Sequence, residues 1–509
     1  MTTEVELKFL ANRDISAELA EKLSSYTLLS RSDRQLANRY FDTPDQRLRS
    51  WRCGLRIRSQ DGQREQTIKC GGQAVAGLHQ RPEYTTPLSG DWPQLADFSA
   101  TIWPQGTDVG ALQNELRPQF RTDFRRQAWS LLLKDGSEIE LAFDQGVIAV
   151  DDRQEPLCEL ELELLQGNPQ SLFTLASDLL ALGGLRLGSI SKAQRGYRLA
   201  GLTPEPEVQR MSFAPVTVAQ SVRAALFTVL NYGVAHWQYH EQLFMEQPSL
   251  AALSQLRNGI ALLQQAQLLF GDELMMLSPR HWQEDLSWLE RELAWLDEAH
   301  ALERLIAERG HYFKALKGHD ELLRVLQARQ QALPDWASLQ ALFCSPRYGR
   351  LMLALSQWLY SEQLKPERAD VASESLLGYA QAQLEQSWGE LHDEEMMVPS
   401  LDYARYLALV GQLRRNLLAG VSFAALFDGQ LQEGFRLPWL NILRHMEELE
   451  LFEVLDGVAG SLSTSARLEL GDWLTTRLEP RLIELDQARQ QALTMVPYWL
   501  QSGDDAEPI

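Results

Sequence analysis

The strongest constraint on fold in this sequence is a strict alternation of charge and hydrocarbon. In "EVELKF", Glu4, Glu6 and Lys8 fall on one side of an extended chain and Val5, Leu7 and Phe9 on the other, because successive strand side chains point to opposite faces. One such strand describes any solvated sheet surface, but the pattern recurs. In "CELELELLQG", Glu159, Glu161 and Glu163 alternate with Leu160, Leu162 and Leu164. "EIELAFDQG" sets Glu138, Glu140 and Asp144 against Ile139, Leu141 and Phe143. Like charges so close repel unless cations lie between them.

Basic residues follow the same parity. Arg56 and Arg58 oppose Leu55 and Ile57; Glu65, Thr67 and Lys69 share a face; "HQRPEYTT" adds Arg81 and Glu83, and "GSISKAQRGY" offers Lys192 and Arg195. Of Arg125 and Arg126 in "TDFRRQAW", only one can face inward from a regular strand. If the apolar faces are covered from outside, the charged faces line an interior, and a closed barrel with a charged lumen satisfies that geometry. Such an interior is costly without a highly charged ligand and metal. Arg and Lys bind phosphate, while hard divalent cations take carboxylate and phosphate oxygens. One opposite-charge contact at about 4 Å is worth roughly 4 kcal/mol at an effective dielectric near 20, so several offset burial. The predicted ligand is a phosphate chain held by the basic wall and bridged to the acidic wall by metal.

Taken in order, Glu4-x-Glu6-x-Lys8, Arg56-x-Arg58, Lys69, Arg81-Pro82-Glu83, Arg126, Asp144, the "ELELE" run and Lys192 to Arg195 resemble the CYTH, or triphosphate tunnel metalloenzyme, family over residues 1–200. Within it, the chain is most similar to bacterial inorganic triphosphatases with an appended CHAD domain. The resemblance implies an eight-stranded antiparallel tunnel that binds a triphosphate lengthwise and requires Mg²⁺ or Mn²⁺. It implies that Lys8, Arg56, Arg58, Lys69, Arg81, Arg126 and Lys192 grip phosphate, with Arg195 assisting. Glu4, Glu6, Asp144, Glu159 and Glu161 would hold metal, and Glu163 has the parity to join them. Glu4, Glu6 and Lys8 form the expected catalytic set, splitting tripolyphosphate into pyrophosphate and phosphate. Thiamine-triphosphatase or class IV adenylyl cyclase activity is the alternative, though those cyclases carry a His-Phe element before the Glu-x-Glu-x-Lys and only Met1-Thr2-Thr3 precedes it here. A non-catalytic polyphosphate-binding scaffold is a further alternative, disfavoured by retention of both Glu4 and Glu6.

Other residues read as structural. Arg39, Arg47, Arg49 and Arg52 lie in or near the turn-rich "YFDTPDQRLRSWRCG" and are expected at the surface. Asp42, before Thr43-Pro44-Asp45, suits a turn. His79 is expected in a loop, and "CGGQAVAGL", lacking a Gly-Lys-Ser/Thr ending, is a hairpin connection and not a Walker A loop.

Beyond "AGLTPEPEVQRMSFAPVT", a linker at 201–217, alternation gives way to helical periodicity. Trp282, Leu286, Leu289, Leu293 and Leu296 fall at three-to-four spacing on one amphipathic helix. Gly310, Gly318, Pro334, Pro346, Pro366, Pro399 and Pro438 punctuate further helices. The expected class is α+β: a barrel over 1–200, an all-α bundle over 218–498 and a frayed tail over 499–509. His236 and His240 in "HWQYHEQLF" lie one helical turn apart, a possible metal pair but more commonly a buried structural one. That signature resembles the CHAD domain, whose members use histidines and rows of Arg and Lys to bind polyphosphate.

Charge departs from that pattern. Residues 1–200 hold 24 Lys plus Arg against 27 Asp plus Glu, and the remainder 24 against 42, giving about −3 and −18. A field of that sign repels polyanions, so a scaffold or self-association role, or a protein partner, is expected for the helical half. Basic clusters and a basic amphipathic helix are missing, which excludes duplex nucleic acid and anionic membrane surfaces as partners. At 509 residues, 45% apolar and 23% charged, the chain has the composition of a soluble globular protein of two or three domains. Its four scattered cysteines, without Cys-x-x-Cys, argue against a disulfide framework or zinc ribbon and for a reducing compartment. With no basic region followed by an apolar run at the start and no span-length stretch, a cytoplasmic location is expected.

Overall fold

A computed structural model describes residues 2–75, 77–307, 313–365, 375–389, 391 and 398–501, and for residues 2–3 and 73–75 the backbone alone. Ten strands form the first region: β1 (Thr2–Ala11), β2 (Thr27–Asp42), β3 (Cys53–Gln60), β4 (Gln63–Cys70), β5 (Gln73–Val75), β6 (Leu78–Pro87), β7 (Arg117–Leu132), β8 (Glu138–Val150), β9 (Arg153–Gln166) and β10 (Leu185–Leu187). Eight of them close a ring in the order β1, β9, β8, β7, β2, β3, β4, β6, with β6 returning to β1. All of these pairings are antiparallel, while β5 extends beside β6 and β10 beside β1. This is the closed eight-stranded barrel expected from the alternation.

Apolar parity faces outward and is covered. Leu55, Ile57 and Ile68 pack with Phe41 beneath Leu95, Phe98, Trp103 and Leu112 of the segment between β6 and β7. Leu7, Phe9, Leu141, Phe143, Leu160 and Leu162 are fully buried. Residues 280–285 and 337–361 belong to the same compact unit as the barrel; there Tyr360 stacks at a tilt on Phe173 and Ser361 accepts a hydrogen bond from Gln170.

Two expectations fail here. His79 lies within β6 and is 2% exposed, not in a loop. Cys53 and Cys70 are directly opposed in the β3–β4 pair and are joined in a disulfide; strand register brings them together, which residue spacing alone does not reveal. Cys158 is a free thiol. Asp42 does serve its turn: its fully buried carboxylate accepts from the backbone N–H of Thr43, Leu48 and Arg49 and from the Tyr197 hydroxyl.

The second unit comprises the described residues of 208–279, 286–336 and 362–501 and is largely helical. Its first helices, Val222–Glu246 and Leu250–Leu269, cross at Gly233 and Gly259, where a Cβ on Gly259 would meet the Gly233 carbonyl at 2.8 Å. Trp282, Leu286, Leu289, Leu293 and Leu296 are all buried, but not on the one helix expected: Leu286 and Leu289 lie on Gln283–Glu292 and Leu296 opens Leu296–Ala307, with Trp282 just before the first and Leu293 between the two. Pro438 does not end a helix either; it lies inside Gly429–Ala459, where packing tolerates the loss of one backbone hydrogen bond. Gly310 and Pro366 lie outside the described residues. His240 donates from Nδ1 to the His236 carbonyl and accepts the Gln209 N–H at Nε2, 2.9 and 3.1 Å, which engages both of its ring nitrogens. Trp499 is buried against Phe435 and Trp388, so the chain is still packed where the tail was expected to begin, and residues 502–509 lie outside the described ones. Among the described residues no helix is long and apolar enough to cross a membrane.

Candidate active site

The barrel encloses a cavity of about 570 Å³. Glu4, Glu6 and Lys8 of β1 line it, with Arg56 and Arg58 of β3 and Lys69 of β4 on another wall. Arg81, Arg126, Glu161, Glu163 and Lys192 complete the predicted residues that reach it. Lys192 arrives on a helix, Lys192–Leu199, whose start is fixed by a capping box between Ser191 and Gln194. Arg125 points away and pairs with Asp33 at the surface, settling which of the two adjacent arginines is internal.

The charges divide into two sets. On one side Lys8 lies 2.9 Å from Glu159 and 3.2 Å from Glu161; Arg126 binds Asp144 through two hydrogen bonds of 2.7 Å and reaches Glu161 at 2.8 Å. Lys192 contacts Asp144, Glu159 and Glu161 together. Burial alone would raise the Glu161 carboxyl, yet Lys192, Lys8 and Arg126 hold it well below the ordinary range. On the other side acids crowd. Glu6 opposes Glu163 across β1–β9 and Glu140 opposes Glu163 across β8–β9, while Lys69 sits 2.5 Å from Glu4 and 3.3 Å from Glu83. Burial, then the Glu4 charge, pushes Glu163 up to about 8. Burial also raises Glu4 despite Lys69. On the basic wall, burial and then the Arg56 and Arg126 charges pull Arg58 down to about 10.

This second set is short of cations. Its carboxylate oxygens are the hard donors a divalent ion prefers, and a cation among them would offset both the burial and the like charges that raise Glu163. Glu4, Glu6, Glu163 and Glu140 supply that donor type on the cavity wall. Among the described residues, the three carboxylates that bring oxygens within 4.8 Å of one another are Asp144, Glu159 and Glu161, and Lys192 contacts all three.

Three predicted residues do not reach the cavity surface. Asp144 and Glu159 are fully buried behind it, and Arg195 turns to Glu155 at 2.7 Å. Others were missed. Glu140 had the parity but was not singled out. Arg49, expected on the surface, lines the cavity with Tyr40 and Tyr197, and Arg52 lines it while remaining exposed, as expected. Arg49 stacks over the Tyr197 ring at 5.1 Å, and its place on a four-residue helix, Arg47–Ser50, carried no alternation that could reveal it.

The family model for the CYTH domain matches residues 2–197, and that for the CHAD domain matches residues 228–435. The chain is a CYTH–CHAD protein. Its CYTH region is 38% identical over 200 residues to an inorganic triphosphatase of Haemophilus influenzae, covering 39% of this chain and 55% of that one. The chain thus spans about half the length of that relative. Among solved structures, the CHAD domain of the plant Ricinus communis is 22% identical and covers 57% of this chain and 98% of its own, with a TM-score of 0.44. A Hippeastrum protein described as having a dominant triphosphatase activity is 19% identical, covering 38% of this chain and 95% of its own, with a TM-score of 0.29.

Proposed function

We propose that the CYTH barrel is a metal-dependent inorganic triphosphatase that hydrolyses tripolyphosphate to pyrophosphate and phosphate. The observation that carries this reading is the facing of Arg56, Arg58 and Lys69 with Glu4, Glu6 and Glu163 around one enclosed cavity. Phosphoryl transfer depends mainly on positioning and on electrostatic stabilisation of an in-line displacement. Arg56, Arg58, Arg81 and Arg126 would hold the phosphate oxygens, and Lys8 and Lys192 would complete the grip as they leave their carboxylate partners. Mg²⁺ or Mn²⁺ held by Glu4, Glu6 and Glu163 would supply charge neutralisation and a water of lowered pKa. Glu4 and Glu6 would orient that water towards the terminal phosphorus. Asp144, Glu159 and Glu161 would brace Lys8, Arg126 and Lys192 from behind. The helical half, near −18, would serve as a scaffold or a self-association surface.

The test is phosphate release from tripolyphosphate, ATP and thiamine triphosphate with Mg²⁺, Mn²⁺ or chelator, alongside Glu6→Gln. Metal-dependent release from tripolyphosphate alone, lost in the variant, supports the reading. Preference for ATP or thiamine triphosphate replaces it with a nucleotide or thiamine substrate, and binding without release replaces it with a scaffold.

A further inference from the structure

Three residues of β6 share inward parity, Glu83, Arg81 and His79, and only the first two line the cavity. His79 opposes Glu6 in the β1–β6 register and is 2% exposed. Its Nε2 lies 3.3 Å from the Gly188 carbonyl and its Nδ1 lies 3.4 Å from Nη2 of Arg81. A carbonyl only accepts and a guanidinium only donates. One form of the ring satisfies both neighbours: neutral, with the hydrogen on Nε2 and the lone pair on Nδ1. The other tautomer would turn a lone pair on the carbonyl and a donor on the guanidinium, and the imidazolium would also present a donor to Arg81. Burial disfavours the charged ring in the same sense.

The surroundings hold this arrangement in place. Gly188 donates its N–H to the Lys8 carbonyl at 2.9 Å, and a Cβ on Gly188 would meet Cγ of Lys8 at 3.1 Å. Gly72, at φ +99°, leaves open the space that Cγ of Arg81 occupies. A long guanidinium side chain loses much rotamer freedom when it grips a ligand, so a buried acceptor that restrains it beforehand favours binding.

We infer that His79 is a positioning residue which, anchored on the Gly188 carbonyl, holds Arg81 in its phosphate-facing orientation. The inference rests on the triphosphatase reading above and assigns His79 no contact with substrate. His79→Ala should raise KM for tripolyphosphate roughly tenfold while kcat changes less than about threefold, the signature of lost binding in ground and transition states alike. His79→Gln, whose amide offers one donor and one acceptor, should bring KM back to within about threefold of wild type. In an Arg81→Ala background, His79→Ala should add little, because residues acting as one unit are non-additive.

Unchanged KM with lowered kcat and lowered melting temperature in both His79 variants, or full additivity with Arg81→Ala, would overturn the inference and leave a packing role. Calorimetric titration of tripolyphosphate with Mg²⁺ into Glu6→Gln and Glu6→Gln/His79→Ala separates the two readings. If wild type releases no phosphate, the triphosphatase reading falls, and the Kd of these two proteins still decides His79: about tenfold weaker binding in the second supports it, and equal binding overturns it.

Discussion

Glu6 and Glu163 face each other across the β1–β9 pair, on the inside of a closed barrel, with Glu140 next in the row. Directly opposed like charges destabilise a sheet, and Glu163 is pushed up to about 8 from an ordinary 4.5 by burial and then Glu4, with Glu6 adding a smaller push in the same direction. An acid whose folded pKa exceeds its unfolded value contributes stability that is full below the unfolded pKa and is lost as pH rises through the folded one. In metal-free protein, melting temperature should therefore fall further between pH 4.5 and 8 in wild type than in Glu163→Gln. Mg²⁺ or Mn²⁺ at pH 8 should restore most of the difference. Parallel thermal-shift profiles of the two proteins count against the acidic row as a cation site.

The two walls separate in kinetics. Glu4→Gln or Glu6→Gln should lower kcat by on the order of a hundredfold with tripolyphosphate binding largely kept, because water orientation is lost and the basic grip is not. Arg56→Ala or Arg58→Ala should weaken binding by about tenfold and also slow turnover, since each removes a charge-assisted contact. Steady-state rates together with calorimetric affinities distinguish the two outcomes.

Gly196 offers a test that leaves every charge in place. A Cβ there would run into the Phe120 ring, which packs edge-on against Tyr197 at 5.2 Å. Gly196→Ala should cost about 1–3 kcal/mol by overpacking, read as a lower urea midpoint. Turnover should fall as well, because Lys192 begins the same helix.

The Cys53–Cys70 bridge closes a segment of sequence separation 17. Chain-entropy reasoning assigns such a loop about 3 kcal/mol, and hairpin pairing in the unfolded ensemble would reduce that figure. Reductant should lower the urea midpoint of wild type and leave that of Cys53→Ser/Cys70→Ser unmoved. Equal sensitivity in both proteins would show that the bridge carries none of the stability.

Parity made the inner face of the barrel legible from the sequence: Glu4, Glu6, Lys8, Arg56, Arg58, Lys69, Arg81, Glu161 and Glu163 all reach the cavity. It could not give height along the barrel, which depends on strand register and stagger. Glu159 shares the parity of Glu161 yet is fully buried, sealed by Lys8 and Lys192. Alternation also fails on helices. Lys192 and Arg195, three residues apart on one short helix, part company, the first to the cavity and the second to Glu155. Arg49 and Arg52 follow a turn and answer to no period. His79 hid because a lone histidine between Leu78 and Gln80 carries no pattern of its own.

The ring closes through β1, which pairs with β6 on one side and β9 on the other. Without that strand the remaining sheet would be a curved ribbon with two raw edges, prone to pairing with other chains. Glu4 and Glu6 come with the strand that seals it, brought beside Arg81 and Glu163 by the same registers. Such long-range pairings form late and slowly in most domains. On the triphosphatase reading, phosphate release would be an assay of topology: a molecule collapsed to native size but unsealed would hold the arginines and lack Glu4 and Glu6, so it could capture a polyanion and leave it unreacted.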